Sequence, residues 1–281
     1  MATTMPITFE AMRRAKKESE GIAEVRLLSA QFPEDREIVP DEFEAAPDLL
    51  RSTHDVPGLA GGPKLPLLSD ILQRAYDATN QGFIIFSNCD IIPRGDFYLK
   101  CAGWIASGLD AFIINRRRLP PDCDSPEHLL SILAESGLSH PGFDCFVFRR
   151  DLIPKMQLAG IVTGVPFSEI VLSQNLFALS DQFRLFRKQF LTRHIGLEIF
   201  RKRSPEDCYK FNRTEYQKAM NSLSGEMDSG RLPFAHRILP HRILTWALHP
   251  CFPVRLCLKL EFGNHPNSNG KSVRFNRLRI D

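Results

Sequence analysis

The sequence predicts an α/β fold, an α/β sandwich built on a mainly parallel and buried central sheet. Helix-like and strand-like segments alternate along roughly the first 150 residues. The strand-like segments are short, continuous apolar runs bounded by turn residues, and such runs are typical of strands buried on both faces. Together these two features predict a three-layer sandwich with helices outside the sheet.

The individual elements follow in chain order. A helix is predicted over 8–18, where Phe9, Met12 and Ala15 recur at near-helical spacing. The spacing of Phe183, Phe186 and Phe190 by three and four predicts a helix over 181–194 that lies on the core. The other predicted elements are strands over 23–32, 83–86, 110–117 and 143–150, and helices over 67–79, 97–108 and 125–136.

Bulk composition excludes several classes of protein. The chain has 281 residues, 43% of them hydrophobic and 25% charged, and a net charge of +3, which is too weak to argue for a nucleic-acid partner. No apolar run approaches the roughly 18 residues that a membrane span needs, and the N-terminus lacks the apolar region of a signal peptide. The seven cysteines contain no C-x-x-C pair. We therefore expect a reduced, cytoplasmic protein without a zinc site or a disulfide framework.

A carboxylate follows directly after the apolar strand over 83–86. Asn88, Cys89 and Asp90 come at the end of this strand, where ligands bind in open α/β sheets. In an extended chain, Asn88 and Asp90 project to the same side. One interpretation is a metal site, in which Asp90 binds a hard divalent cation and Asn88 supports it or contacts a sugar hydroxyl. The other is a helix N-cap or an Asx turn. The residues alone leave both open.

Three stretches resemble a known family. "FIIFSNCDIIPRGDFY" (83–98), "DAFIINRRRLP" (110–120) and "HPGFDCFVFRRDLIPKM" (140–156) look like a family of uncharacterised proteins that is similar to nucleotide-sugar glycosyltransferases of the A-type fold. The resemblance implies one Rossmann-like α/β domain over 1–215, followed by an irregular or helical extension over 216–281. Since only "MATTMP" precedes the first helix, the first strand of this fold is expected to be reduced or missing.

The resemblance also implies a ligand and a metal. Such a domain holds a nucleoside-diphosphate sugar, UDP- or GDP-linked, through Mn²⁺ or Mg²⁺. The acidic motif is usually Asp-any-Asp, and here it reads Asn88-Cys89-Asp90. Asp90 is then the metal ligand, and Asn88 takes the place that contacts the donor. A late histidine, His194, is the second expected ligand, although a core or capping histidine is the alternative.

Further candidates concern the diphosphate and the acceptor. Lys64, Arg116 and Arg117 lie in loops or at a strand end and are candidates to bind the diphosphate, with solvated side chains as the alternative. By the resemblance, Asp144 is the general base that removes the acceptor's proton. The alternative for Asp144 is a hydrogen bond to the backbone of the turn that begins at His140.

These residues lead to two hypotheses. The first is a metal-dependent glycosyltransferase that moves a sugar from a nucleoside-diphosphate donor to an acceptor. The second is a catalytically inactive relative that keeps the fold as a binding or scaffold protein. We expect no nucleic-acid partner and no membrane span. A protein partner could bind through the C-terminal extension, where "RILTWALHP" (242–250) has the pattern of a short amphipathic helix.

Overall fold

The computed structural model of the chain describes residues 5–80, 82–119, 126–140, 142–196, 205–249 and 279–280. Its helices are α1 Met5–Glu18, α2 Leu68–Ala78, α3 Phe97–Ala106, α4 Leu129–Ala134, α5 Ser168–Leu179, α6 Glu206–Leu223 and α7 Leu239–Leu248. Its strands are β1 Leu28–Ser29, β2 Glu44–Ala45, β3 Phe83–Ser87, β4 Ile92–Pro93, β5 Ala111–Ile114, β6 Arg117–Leu119, β7 Leu138–Ser139, β8 Cys145–Arg149, β9 Phe183–Phe186, β10 Thr192–Ile195 and β11 Arg279–Ile280.

The largest sheet has five strands in the order β11-β9-β5-β8-β3. β5 and β11 pair with β9 in parallel, but β8 is antiparallel to both of its neighbours, β3 and β5. The α/β class is therefore confirmed, whereas the prediction of a mainly parallel sheet is wrong. A continuous apolar run carries no information about strand direction, and β8 is as buried as a parallel strand would be. Such a run also does not guarantee burial on both faces: β3 lies at the edge of the sheet and leaves Ile85 37% exposed, so the expectation of a fully buried strand over 83–86 is wrong.

Helices cover both faces of this sheet. In β5, Ala111 and Ile113 point to one face and pack in a core with residues of α2, α5 and α6. Phe112 and Ile114 point to the other face and pack with residues of α1 and α3. All four residues are fully buried, so β5 lies at the centre of three layers.

A second sheet lies next to the first, with strands in the order β4-β10-β6-β7. Three of its strands directly follow strands of the first sheet along the chain: β4 follows β3, β6 follows β5 and β10 follows β9. β10 is antiparallel to β4 and parallel to β6. The carboxyl ends of β3, β5 and β9 therefore all lead into this second sheet.

Two predicted elements differ in the structure. The segment predicted as a helix over 181–194 forms β9 and β10, so that prediction is wrong. Phe183, Leu185 and Phe186 are buried, and β9 pairs with β5 in a parallel ladder. This pairing and burial determine the strand, so the helical spacing of the phenylalanines is coincidental. The strand predicted over 23–32 shrinks to β1, which pairs only with β2. Among the described residues, no strand before β3 joins the five-stranded sheet.

The C-terminal helices belong to the same core as the sheet. α6 runs through the boundary expected at residue 215, and its Tyr216 and Leu223 pack in one cluster with Ile113 of β5. α7 confirms the short helix expected near residue 242 and buries Trp246 in that cluster. The rest of the expected extension lies outside the described residues, apart from β11. None of the helices that the structure describes is long and apolar enough to cross a bilayer.

Candidate functional site

The chain turns immediately after β3. The backbone N–H of Ile91 donates to the carbonyl of Asn88 at 3.1 Å, which closes a turn over residues 88–91. The expected extended course through Asn88 and Asp90 is therefore wrong, because the chain must leave the first sheet to enter β4. The turn leaves Cys89 exposed and carries Asp90 inward, where it is 8% exposed.

Asp90 meets His194, which lies 104 residues further along the chain, and the imidazole Nε2 is 3.1 Å from the carboxylate Oδ2. β4 and β10 make this contact, because their antiparallel register pairs Ile92 with Arg193. Both residues are metal ligands that the resemblance to A-type glycosyltransferases implies. The structure brings them together as one pair, the Asp90–His194 pair.

The surroundings restrict the imidazole of His194. Gly196 has a φ of +127°, a conformation that side chains rarely adopt, and a Cβ there would lie 3.3 Å from the His194 ring. His194 Nδ1 is buried and has no hydrogen-bond partner among the described residues. A glycine at this position thus allows the backbone to pass close to the ring.

A second polar cluster forms where β5 ends and β8 begins. The guanidinium of Arg116 donates to Oδ1 of Asp144, and the Asp144 side chain is buried at 6% exposure while that of Arg116 is partly buried at 13%. His140 Nδ1 lies 3.4 Å from the other carboxylate oxygen of Asp144 and accepts from the N–H of Gly142 at 2.9 Å. The main partner of Asp144 is therefore Arg116, and neither the backbone of the turn nor open solvent faces its Oδ1.

The other two basic candidates are engaged elsewhere. Arg117 donates from Nε to the carbonyl of Ser136 at 2.7 Å, and its guanidinium lies 4.4 Å from the ring centroid of Phe190. Lys64 pairs with Glu34 and packs over an aromatic ring. The structure thus shows contacts for these two cations that hold loops in place.

Two further residues, which the sequence did not predict as site residues, lie at the same end of the sheet. Arg187 follows β9 directly and is exposed. His249 follows α7 and packs its ring 5.1 Å from that of Phe143, next to Asp144. Burial, and after it the charges of Arg187 and His140, lower the pKa of His249 to about 4. The sequence did not point to Arg187 because its segment was predicted as a helix over 181–194. Once β9 is known to be a strand that ends at Phe186, Arg187 lies at the strand end where ligands bind.

The donor atoms of the Asp90–His194 pair fit a divalent cation. Carboxylate oxygen suits Mg²⁺ and Mn²⁺, and neutral imidazole is compatible with Mn²⁺. Within the described part of the chain, no group of three or more His, Cys, Asp and Glu side chains could hold a metal ion. A cation on this pair would therefore need further ligands from water or from a bound diphosphate, as is common for Mg²⁺ sites.

Comparisons with known proteins add little. No protein-family model matches the sequence, and no curated protein sequence matches it. Among solved structures, the chain is similar to the mannosyltransferase PcManGT from Pyrobaculum calidifontis in complex with GDP-mannose and Mn²⁺. The two are 14% identical, the match covers 94% of this chain and 98% of the other, and the TM-score is 0.35. At this TM-score the likeness carries no argument about fold or activity.

Proposed function

We propose that the chain is a nucleotide-sugar-dependent glycosyltransferase whose divalent cation is held by Asp90 and His194. The contact between these two residues is the observation that carries the proposal. Both are ionisable or metal-binding side chains from distant parts of the sequence, and they meet where β3 ends. This is the region where ligands bind in open α/β folds.

The residues of the pair have complementary roles in this proposal. Asp90 contributes a negative charge and oxygen ligands, whereas His194 contributes a neutral nitrogen, so the site keeps a net positive charge once a divalent cation is bound. That remaining charge favours a diphosphate as the next ligand. When bound, such a cation offsets the negative charge that develops on the leaving diphosphate. In this proposal Asn88, which is half-buried in the same turn, contacts the donor.

Transfer breaks the bond between the sugar C1 and the diphosphate oxygen and forms a bond from C1 to an acceptor hydroxyl oxygen. The acceptor's proton needs a base. Asp144 remains the proposed base, but a base must come within hydrogen-bond reach of the hydroxyl. The ion pair with Arg116 occupies Oδ1 of Asp144, and its Oδ2 is buried. For Asp144 to act as the base, the Arg116 side chain would have to turn toward the donor and so release the Asp144 carboxylate.

The same ion pair supports a second candidate, a binding protein that holds the nucleotide sugar without transferring it. In that protein Asp144 and Arg116 are structural, and only the Asp90–His194 pair meets the ligand. Incubation with a panel of UDP- and GDP-sugars separates the two candidates. Release of free UDP or GDP supports the transferase, whereas tight binding without release supports the binding protein.

Calorimetric titration of UDP and GDP tests the cation site itself. With Mn²⁺, we expect micromolar binding of one nucleotide that disappears in EDTA. The matched variant is Asp90→Asn, which keeps the hydrogen bond to His194 but removes the charge, and we expect it to lose Mn²⁺-dependent binding while remaining folded by circular dichroism. Equal binding with and without Mn²⁺, or an unchanged affinity in Asp90→Asn, would overturn the proposed cation site.

A further inference from the structure

Arg187 lies where β5 and β9 end together. Ile114 pairs with Phe186 at the last register position of the two parallel strands. The ladder extends one residue further, because the N–H of Asn115 donates to the carbonyl of Phe186 at 3.0 Å. Arg187 therefore lies beside Asn115, at the same end of the sheet as the turn over 88–91.

The charge of Arg187 is not neutralised by the described residues. Its guanidinium lies 5.7 Å from the ring centroid of Phe234, and no described carboxylate pairs with it. Arg116, by contrast, is paired with Asp144. Lys188 follows Arg187 and is also exposed, so two adjacent cations face solvent at this strand end. Uncompensated positive charge at such an end favours an anionic ligand.

An aromatic ring and a histidine lie near Arg187. His249 lies close enough for the charge of Arg187 to lower the pKa of its imidazole, and His140 lowers that pKa in the same way. The guanidinium lies over the ring of Phe234, a contact that uses its face and none of its N–H donors. A planar guanidinium with free donors matches the oxygens of a phosphate in a two-pronged contact.

We propose that Arg187 binds a phosphate group of the nucleoside-diphosphate donor and serves as the cationic contact that Lys64 and Arg117 do not provide. This inference rests on the proposed function, because it assigns a further binding residue to the same ligand. Lys188 adds long-range attraction. The C-terminal part of the fold, through Phe234 and His249, then forms one wall of the phosphate site.

Titration of UDP and GDP, with Mn²⁺ present, into four proteins tests the assignment. Arg187→Gln removes the charge, and Arg187→Lys keeps the charge but removes the planar guanidinium that can donate two hydrogen bonds to one phosphate. The matched control is Arg213→Gln, an exposed arginine on α6. We expect Arg187→Gln to weaken binding about 10- to 100-fold, as the loss of a charge-assisted contact does, and Arg187→Lys to recover part of that loss. Arg213→Gln should bind as the natural protein does.

A nuclear magnetic resonance titration of the histidine ring protons supplies an independent readout. A phosphate on Arg187 would offset the charge that depresses the pKa of His249, so inorganic pyrophosphate should raise that pKa; the variant His249→Gln identifies the signal. If the natural protein binds a nucleotide and Arg187→Gln binds it equally, with the His249 pKa unmoved by pyrophosphate, the inference is wrong while the proposed function stands. If the natural protein binds neither nucleotide, the proposed function and the inference about Arg187 are both wrong.

Discussion

Exchanging Asp144 for asparagine tests whether its ion pair with Arg116 holds the fold together. Both side chains are largely buried, at 6% and 13% exposure. Removing one partner of a buried pair typically costs 3–5 kcal/mol, because the remaining charge is left uncompensated. The amide oxygen of asparagine can still accept one bond from Arg116. We therefore expect Asp144→Asn to lower the free energy of unfolding by about 3 kcal/mol, measured by urea denaturation.

The surface pair Arg149–Asp151 is the matched control, because its side chains are 51% and 49% exposed. Asp151→Asn should cost less than about 1 kcal/mol, as exposed pairs do. Adding Arg116→Met to Asp144→Asn should cost less than Arg116→Met alone, because the arginine has already lost its partner. A cost below about 1 kcal/mol for Asp144→Asn, together with a loss of sugar transfer, would refute the structural role and support Asp144 as the general base.

Two further perturbations probe the C-terminal part of the fold. Asn212 is fully buried and bonds the N–H and the carbonyl of Val162 at 3.0 and 2.9 Å, so Asn212→Ala should destabilise the whole protein by about 3 kcal/mol in one cooperative urea transition. A separate early transition would show that α6 unfolds independently. The depressed pKa of His249, about 4 in the folded chain against 6.5 unfolded, contributes stability that is present above pH 6.5 and is lost as pH falls toward 4. The loss should reach about 3 kcal/mol and should shrink in His249→Gln, and unfolding curves across this pH range that coincide for both proteins would contradict it.

Several features of the fold could be predicted from local chemistry. The apolar run over 83–86 becomes β3, and the amphipathic pattern over 67–79 becomes α2, because burial periodicity is a property of neighbouring residues. The choice of Asp90 and His194 also came from the sequence. A carboxylate at the end of an apolar run is visible without coordinates, and the resemblance implied His194, but the contact between the two is not visible in the sequence.

Other features depend on residues that are distant in the sequence. The segment over 181–194 has helical spacing, yet β5 provides its partner for a strand ladder, and backbone pairing together with burial decides the outcome. The direction of β8 is set by connections on either side of it. Neither the partner of the segment over 181–194 nor the direction of β8 is encoded in the segment itself. Local patterns therefore predicted a helix for the first and a parallel strand for the second.

The sequence by itself determined the α/β class and the apolar runs that become β3, β5 and β8, because apolar periodicity reports which residues avoid water. Only the tertiary structure decided which charges meet. It paired Arg116 with Asp144 and Lys64 with Glu34, and it left Arg187 without a described carboxylate at the end of β9. An ionic contact depends on distances of a few ångströms between remote side chains, and those distances exist only once the sheets have formed.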